Sequence, residues 1–116
     1  RSYLARHRAD TVNAMKAITE ALALIESDRE GAIAVLANYM ALNPDTDAAS
    51  LDEAYDELVS KYFVDVPYPT MEGIQTELDA LVVDNPDAAT FAPEDIVDLS
   101  IVEELEKSGF IASLRP

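Results

Sequence analysis

The stretch DTVNAMKAITEALALIESDREGAIAVLANYMALN, residues 10–43, decides how this chain folds. Val12, Met15, Ile18, Leu22 and Ile25 recur at steps of three and four, which lays them along one face of an α-helix. Ser27-Asp28-Arg29-Glu30 matches a capping box, S-x-x-E, so one helix stops and a second begins there. In the second, Ile33, Leu36, Ala37 and Met40 form another stripe. Asn43-Pro44 closes it, because proline lacks the N–H of a continuing helix and disfavours α geometry in the residue before it. Two stripes this close together require a partner surface.

Further helices follow downstream. Residues 48–61 place Leu51, Tyr55, Leu58 and Tyr62 on one face, with Asp47 or the box beginning at Ser50 as the start. The segment 63–69 holds two prolines among apolar residues and reads as an extended connector packed on the core, not as a central strand. Thr70 caps a helix over 71–84 with Met71, Ile74, Leu78, Leu81 and Val82 in register, ended by Asn85-Pro86. Residues 87–94 read as loop, with Phe91 as an anchor into the core. A capping box at Ser100 opens a short helix over 101–108. Gly109 takes the left-handed position after it, with Phe110 and Leu105 set to meet in a Schellman motif.

Upstream, residues 2–7 form a helical turn that precedes or merges with the first long helix. The reading is thus all-α: five amphipathic helices near 3–26, 28–42, 48–61, 71–84 and 101–108, in one helical domain or fragment spanning 1–116. The expected core is Val12, Met15, Ile18, Leu22, Ile25, Ile33, Leu36, Met40, Leu51, Tyr55, Leu58, Ile74, Leu78, Leu81 and Leu105.

The net charge of −15 is unevenly spread. Arg1, Arg6, Arg8 and Lys16 oppose one acid, Asp10, over residues 1–16, and the acids dominate thereafter. Such a field repels phosphate backbones and argues against nucleic-acid binding. No apolar run approaches the ~20 residues of a membrane span. Without cysteine there is no disulfide, thiolate nucleophile or cysteine–zinc site.

Chemistry-bearing patterns are sparse. His7 is the single histidine and reads as a surface residue. Asn43, Asp45 and Asp47 imitate the first ligands of a calcium loop, but Ala48 and Ala54 stand where that loop needs glycine and glutamate. Asp52 and Asp56, four apart on one helix, read as a solvated ridge and not as an acid–base couple. Tyr55, Tyr62 and Tyr68 suit a core better than a ligand surface. No cofactor or metal is expected, and the residues suggest no enzyme.

Read end to end, the chain resembles the C-terminal part of an ABC-transporter substrate-binding protein of the nitrate/sulfonate/taurine and thiamine-pyrimidine-precursor binding family. Tyr3-Leu4-Ala5, Asp10-Thr11-Val12 and Ala17-Ile18-Thr19-Glu20-Ala21-Leu22 are similar to one family helix. Arg29-Glu30-Gly31-Ala32 with Val35-Leu36-Ala37-Asn38-Tyr39 resembles the next. Met71-Glu72-Gly73-Ile74-Gln75-Thr76-Glu77-Leu78, Val97-Asp98-Leu99-Ser100 and Ser108-Gly109-Phe110-Ile111 resemble its closing segments.

The abrupt start at Arg1 beside a helix reads as an excised or processed piece, and the resemblance implies that it belongs to a two-lobed α/β periplasmic-type binding protein, located in the periplasm or outside the cell and associated with the membrane through the transporter or a lipid anchor. It would deliver a small-molecule solute to an ABC permease and be completed by upstream lobes of the same protein. It points to Ser2 and Tyr3 as ligand-binding candidates, since a helix start directly after the lobe crossover approaches the cleft. Without those lobes the piece is expected to self-associate or swap helices as a homo-oligomer, opening at Ser27 or in the 64–69 connector. The alternative from the residues themselves is a stand-alone acidic helical interaction domain. A related enzyme of thiamine-precursor synthesis gains no support from one histidine and no cysteine.

Overall fold

Asp28, one residue beyond the expected cap, divides the two long helices. In the computed structural model, which describes residues 2–115, the first helical pair is α1 (Ser2–Arg6) and α2 (Arg8–Ser27). They are joined at His7, whose backbone leaves helical geometry although the hydrogen-bond ladder runs on: its N–H donates to Tyr3 and its carbonyl accepts from Thr11. Arg1, the first of the expected basic cluster, lies outside the described residues. Helix α3 (Arg29–Met40) opens on the Asp28 carboxylate, which accepts the Gly31 N–H at 2.9 Å. Ser27 stays inside α2 and donates its hydroxyl to Leu24 O. A carboxylate is at least as good an N-cap as serine, and it also meets the positive end of the helix dipole. A Cβ on Gly31 would lie 2.3 Å from that carboxylate, so the cap depends on glycine there.

Helix α4 (Ala48–Tyr62) begins after a loop in which Asn43 Oδ1 accepts from Asp45 N and Asp47 Oδ2 from Asn43 N. Those groups are the imitation calcium ligands, and they close the turn instead. Thr70 caps α5 (Met71–Leu81) through the Gly73 N–H, as its sequence indicates. Helix α5 is shorter than expected.

The loop expected over 87–94 is a correction. Pro86–Thr90 is a 3₁₀ turn, and Pro93–Ile96 is a short helix, α6, each with proline in its first turn. Helices α7 (Ser100–Lys107) and α8 (Phe110–Ser113) flank Gly109, which is left-handed at φ 77° and donates its N–H to Glu106 O. Ser100 does not cap α7. Its N–H donates to Asp98, and its hydroxyl accepts from Arg8. No strand occurs among the described residues, so the fold is all-α.

Helix α2 is the spine. Near its start Arg8 pairs with Glu104 of α7 at 2.6 Å; near its end Glu26 pairs with Arg115 at 2.8 Å. The C-terminal helices are therefore laid along it. Ile101, Leu105 and Ile111 form the buried cluster there, with Leu4, Val12, Met15 and Phe110 packed against them. Val66 joins from the connector, which packs on the core as expected but is not extended throughout: it bends at Asp65 and Val66, and Tyr68 N–H donates back to Val66 O. Helix α3 crosses α2 and carries α4, whereas α5 packs mainly on the 3₁₀ turn and α6.

Several core expectations need correcting. Ile18, Met40, Leu58 and Leu81 are exposed, and so is Phe91. The contact face is turned toward small residues instead: Thr19, Ala23 and Ala37 are buried, which lets the helices approach closely with bulkier neighbours at the flanks. The buried Thr19 hydroxyl donates to Met15 O within its own helix. Leu51, Tyr55, Leu78 and Leu105 are buried as expected.

The whole is open. Its radius of gyration is 17.6 Å, against about 13 Å for a compact chain of this length. Its accessible surface is 8234 Å², against roughly 6,200 Å² for a compact monomer of this mass.

Candidate functional site

Helix α3 is apolar on nearly every side: Ala32, Ile33, Ala34, Val35, Leu36, Ala37, Tyr39 and Met40 leave little room for a solvated face. Helices of that composition are normally covered all round. Here α2 and α4 cover one side only. The open side, with the end of α2 and the inner face of α4, forms a groove of about 400 Å³. Leu24 and Ile25 close one end; Gly31, Ala32, Val35, Leu36 and Tyr39 form one wall; Tyr55 and Leu58 form the other. Leu24 is 61% exposed, Val35 71% and Tyr39 88%, high values for side chains of this kind lying beside one another.

The groove is held open by a polar knot at the α2–α3 junction. Tyr55 donates its hydroxyl to Ile25 O at 2.8 Å, tying α4 to the end of α2. The Arg29 guanidinium lies 4.5 Å over the Tyr55 ring and bonds to Asp52 at 2.7 Å and to Asp56. Those hydrogen bonds, Asp56 first and Asp52 second, push the Arg29 pKa above its ordinary value. The charge on this edge is net negative, since Asp28, Asp52 and Asp56 oppose one arginine. The Asp52–Asp56 ridge is therefore an arginine clamp, without the cleft an acid–base couple needs.

A second concavity, about 330 Å³, lies between Asp65, Val66, Glu106, Ile111, Ala112 and Arg115. Nε and Nη1 of Arg115 are taken by Glu26 and by the side chain and carbonyl of Asp65, while Nη2 is buried without a partner among the described residues, so Arg115 works as a staple between the chain end, α2 and the connector. Among the described residues, no group of three or more His, Asp or Glu side chains is placed to hold a metal ion. No described helix is long and apolar enough to cross a membrane.

Ser2 and Tyr3 are both exposed and line neither concavity. Tyr3 stacks on His7 at 4.4 Å, and the Ser2 carbonyl accepts from Arg6. His7 also approaches Asp10, at 3.6 Å. The three tyrosines divide: Tyr55 is buried, Tyr62 is exposed, and Tyr68 donates to Glu106.

Stripe counting on α3 did not single out Val35 and Tyr39. The signal for them was the absence of any polar face on that helix. Comparison with protein-family models, with curated proteins and with solved structures gives no match.

Proposed function

We propose that this chain is the closing helical part of an extracytoplasmic solute-binding protein that hands a small molecule to an ABC permease. The observation that carries the reading is the openness of the fold: about a third more surface than a compact monomer of this mass would expose. That excess is on the scale of a full interface, as expected of helices that close onto upstream lobes. The order and spacing of the segments quoted above add to it. In this reading the chain is not an enzyme, it acts outside the cytoplasm, and the solute is enclosed only when the lobes are present. The isolated chain then self-associates or exchanges helices, since swapping restores buried contacts at low cost.

The test has two arms. The reading frame upstream of Arg1 should encode alternating strands and helices; a start codon close to Arg1 would overturn the reading. Calorimetric titration of the isolated chain with nitrate, sulfonates and pyrimidines should give no heat beyond dilution. Binding in the micromolar range would place the solute site within these residues instead. The second reading, an acidic helical interaction domain, is favoured by the apolar groove with its acidic edge, and an early start codon would support it.

A further inference from the structure

The α3–α4 groove has a definite shape and a definite charge. Its apolar wall follows helical steps along α3 through Ala32, Val35 and Tyr39, with Leu24 of α2 at its end, and the facing wall is Tyr55 and Leu58. A trough between two helices, lined this way, fits the apolar face of a third helix presenting anchors at i, i+3, i+4 and i+7. Asp28 lines it, Asp52 and Asp56 stand beside it on α4 paired with Arg29, and the chain as a whole carries −15. A second copy meeting this one groove to groove would bring the same acidic edge against it, so charge disfavours that pairing. The single arginine at the edge is already spent on Asp52 and Asp56.

We propose that this groove docks one amphipathic helix of a partner polypeptide, with leucine-like anchors on its inner face and Lys or Arg on its flanks. The proposal goes beyond the solute-receptor reading and does not depend on it. The apolar anchors supply the affinity by covering Leu24, Val35 and Tyr39. The basic flanks select the partner and speed its approach to a strongly acidic protein.

The chain contains no tryptophan. A synthetic helix of Leu anchors, Lys flanks and one Trp can therefore be followed by its own fluorescence, and by energy transfer from Tyr39 and Tyr55. Saturable binding is expected that weakens with salt. A peptide with Leu replaced by Ser, or with Lys replaced by Glu, should bind at least about tenfold more weakly. In the protein, Val35→Ser and Tyr39→Ser together should cost about tenfold in affinity. Val83→Ser, at an equally exposed site on no groove wall, should cost nothing.

Equal binding of the Ser-substituted peptide would overturn the proposal, because charge by itself would then explain attachment. Equal binding of the Glu twin would overturn the basic partner. Circular dichroism of the double variant keeps its result readable: both side chains are solvent-facing, so helicity should not change. Protection of the α3 amides from hydrogen exchange in a longer version of the protein, without any partner, would show that the groove is filled from within and would overturn the partner-chain source.

Discussion

Tyr55, on α4, donates its hydroxyl to the carbonyl of Ile25, in the last turn of α2, at 2.8 Å. Carbonyls of a last helical turn have no partner within their own helix. This one is supplied across the interface by a buried ring. The bond therefore does two things: it finishes α2 and it sets the width of the groove.

Tyr55→Phe keeps the ring and leaves the Ile25 carbonyl without that partner. The expected cost is about 1–2 kcal/mol. Tyr62→Phe, on the same helix with its side chain exposed, should fall within about 0.5 kcal/mol of the parent. Urea midpoints of the two variants separate the cases. Equal midpoints would mean that the Tyr55 hydroxyl contributes nothing beyond its ring.

The contrast between Leu105 on α7 and Ile18 on α2 makes the second prediction. Leu105 is 2% exposed and Ile18 is 52% exposed. Leu105→Ala should cost about 2–5 kcal/mol, and Ile18→Ala well under half of that. A sequence stripe treats the two alike. Similar losses would restore the Ile18 face to the core.

That contrast shows what was legible and what was not. Helix positions followed from periodicity and caps, so Thr70 and Gly109 appear where the residues put them, whereas α3 already ends at Met40, on left-handed Ala41, before Asn43-Pro44 is reached. The 3₁₀ turn and α6 were missed because a proline that ends one helix also begins the next so well, as Pro86 and Pro93 do. Burial was read less well than position. Hydrophobic periodicity locates a face only to within about one residue's rotation, and Thr19, Ala23 and Ala37 decide the contact through their small size. The groove was implicit in α3, a helix with no polar side. What covers such a side is written in the covering element's residues.

Two left-handed residues give paired predictions of opposite sign. Ala41, after α3, has φ 55°, and Leu42 N–H reaches Ala37 O there, as in a Schellman turn. A Cβ is disfavoured in that region, so Ala41→Gly should stabilise by about 1 kcal/mol despite the extra freedom it gives the unfolded chain. Gly109 at φ 77° has open space where a Cβ would go, so only backbone strain opposes a side chain. Gly109→Ala should destabilise by about 1 kcal/mol. Thermal denaturation of both variants checks the signs. A stabilising Gly109→Ala would contradict the left-handed assignment.

Tyr68 provides a pH-dependent test of the connector. Its hydroxyl donates to Glu106 at 2.7 Å, joining the connector to α7. Its pKa is pushed up from 10.0 to about 12, first by that hydrogen bond and then by desolvation and the charges of Glu106 and Glu103. The folded state thus holds the phenolic proton more tightly than the unfolded chain does. The stabilisation is fully present below pH 10, fades as pH rises toward about 12, and is lost above it. Tyr68→Phe removes it at every pH. Parent and variant should therefore differ in denaturation midpoint near neutral pH and converge as the phenol ionises. Every other pH-dependent contribution is common to both proteins and largely cancels in the difference. Beyond convergence, a phenolate beside Glu106 repels it, so the order should tend to reverse. A gap that stays constant up to pH 12 would show that Tyr68 stabilises through packing on α7 and not through its proton.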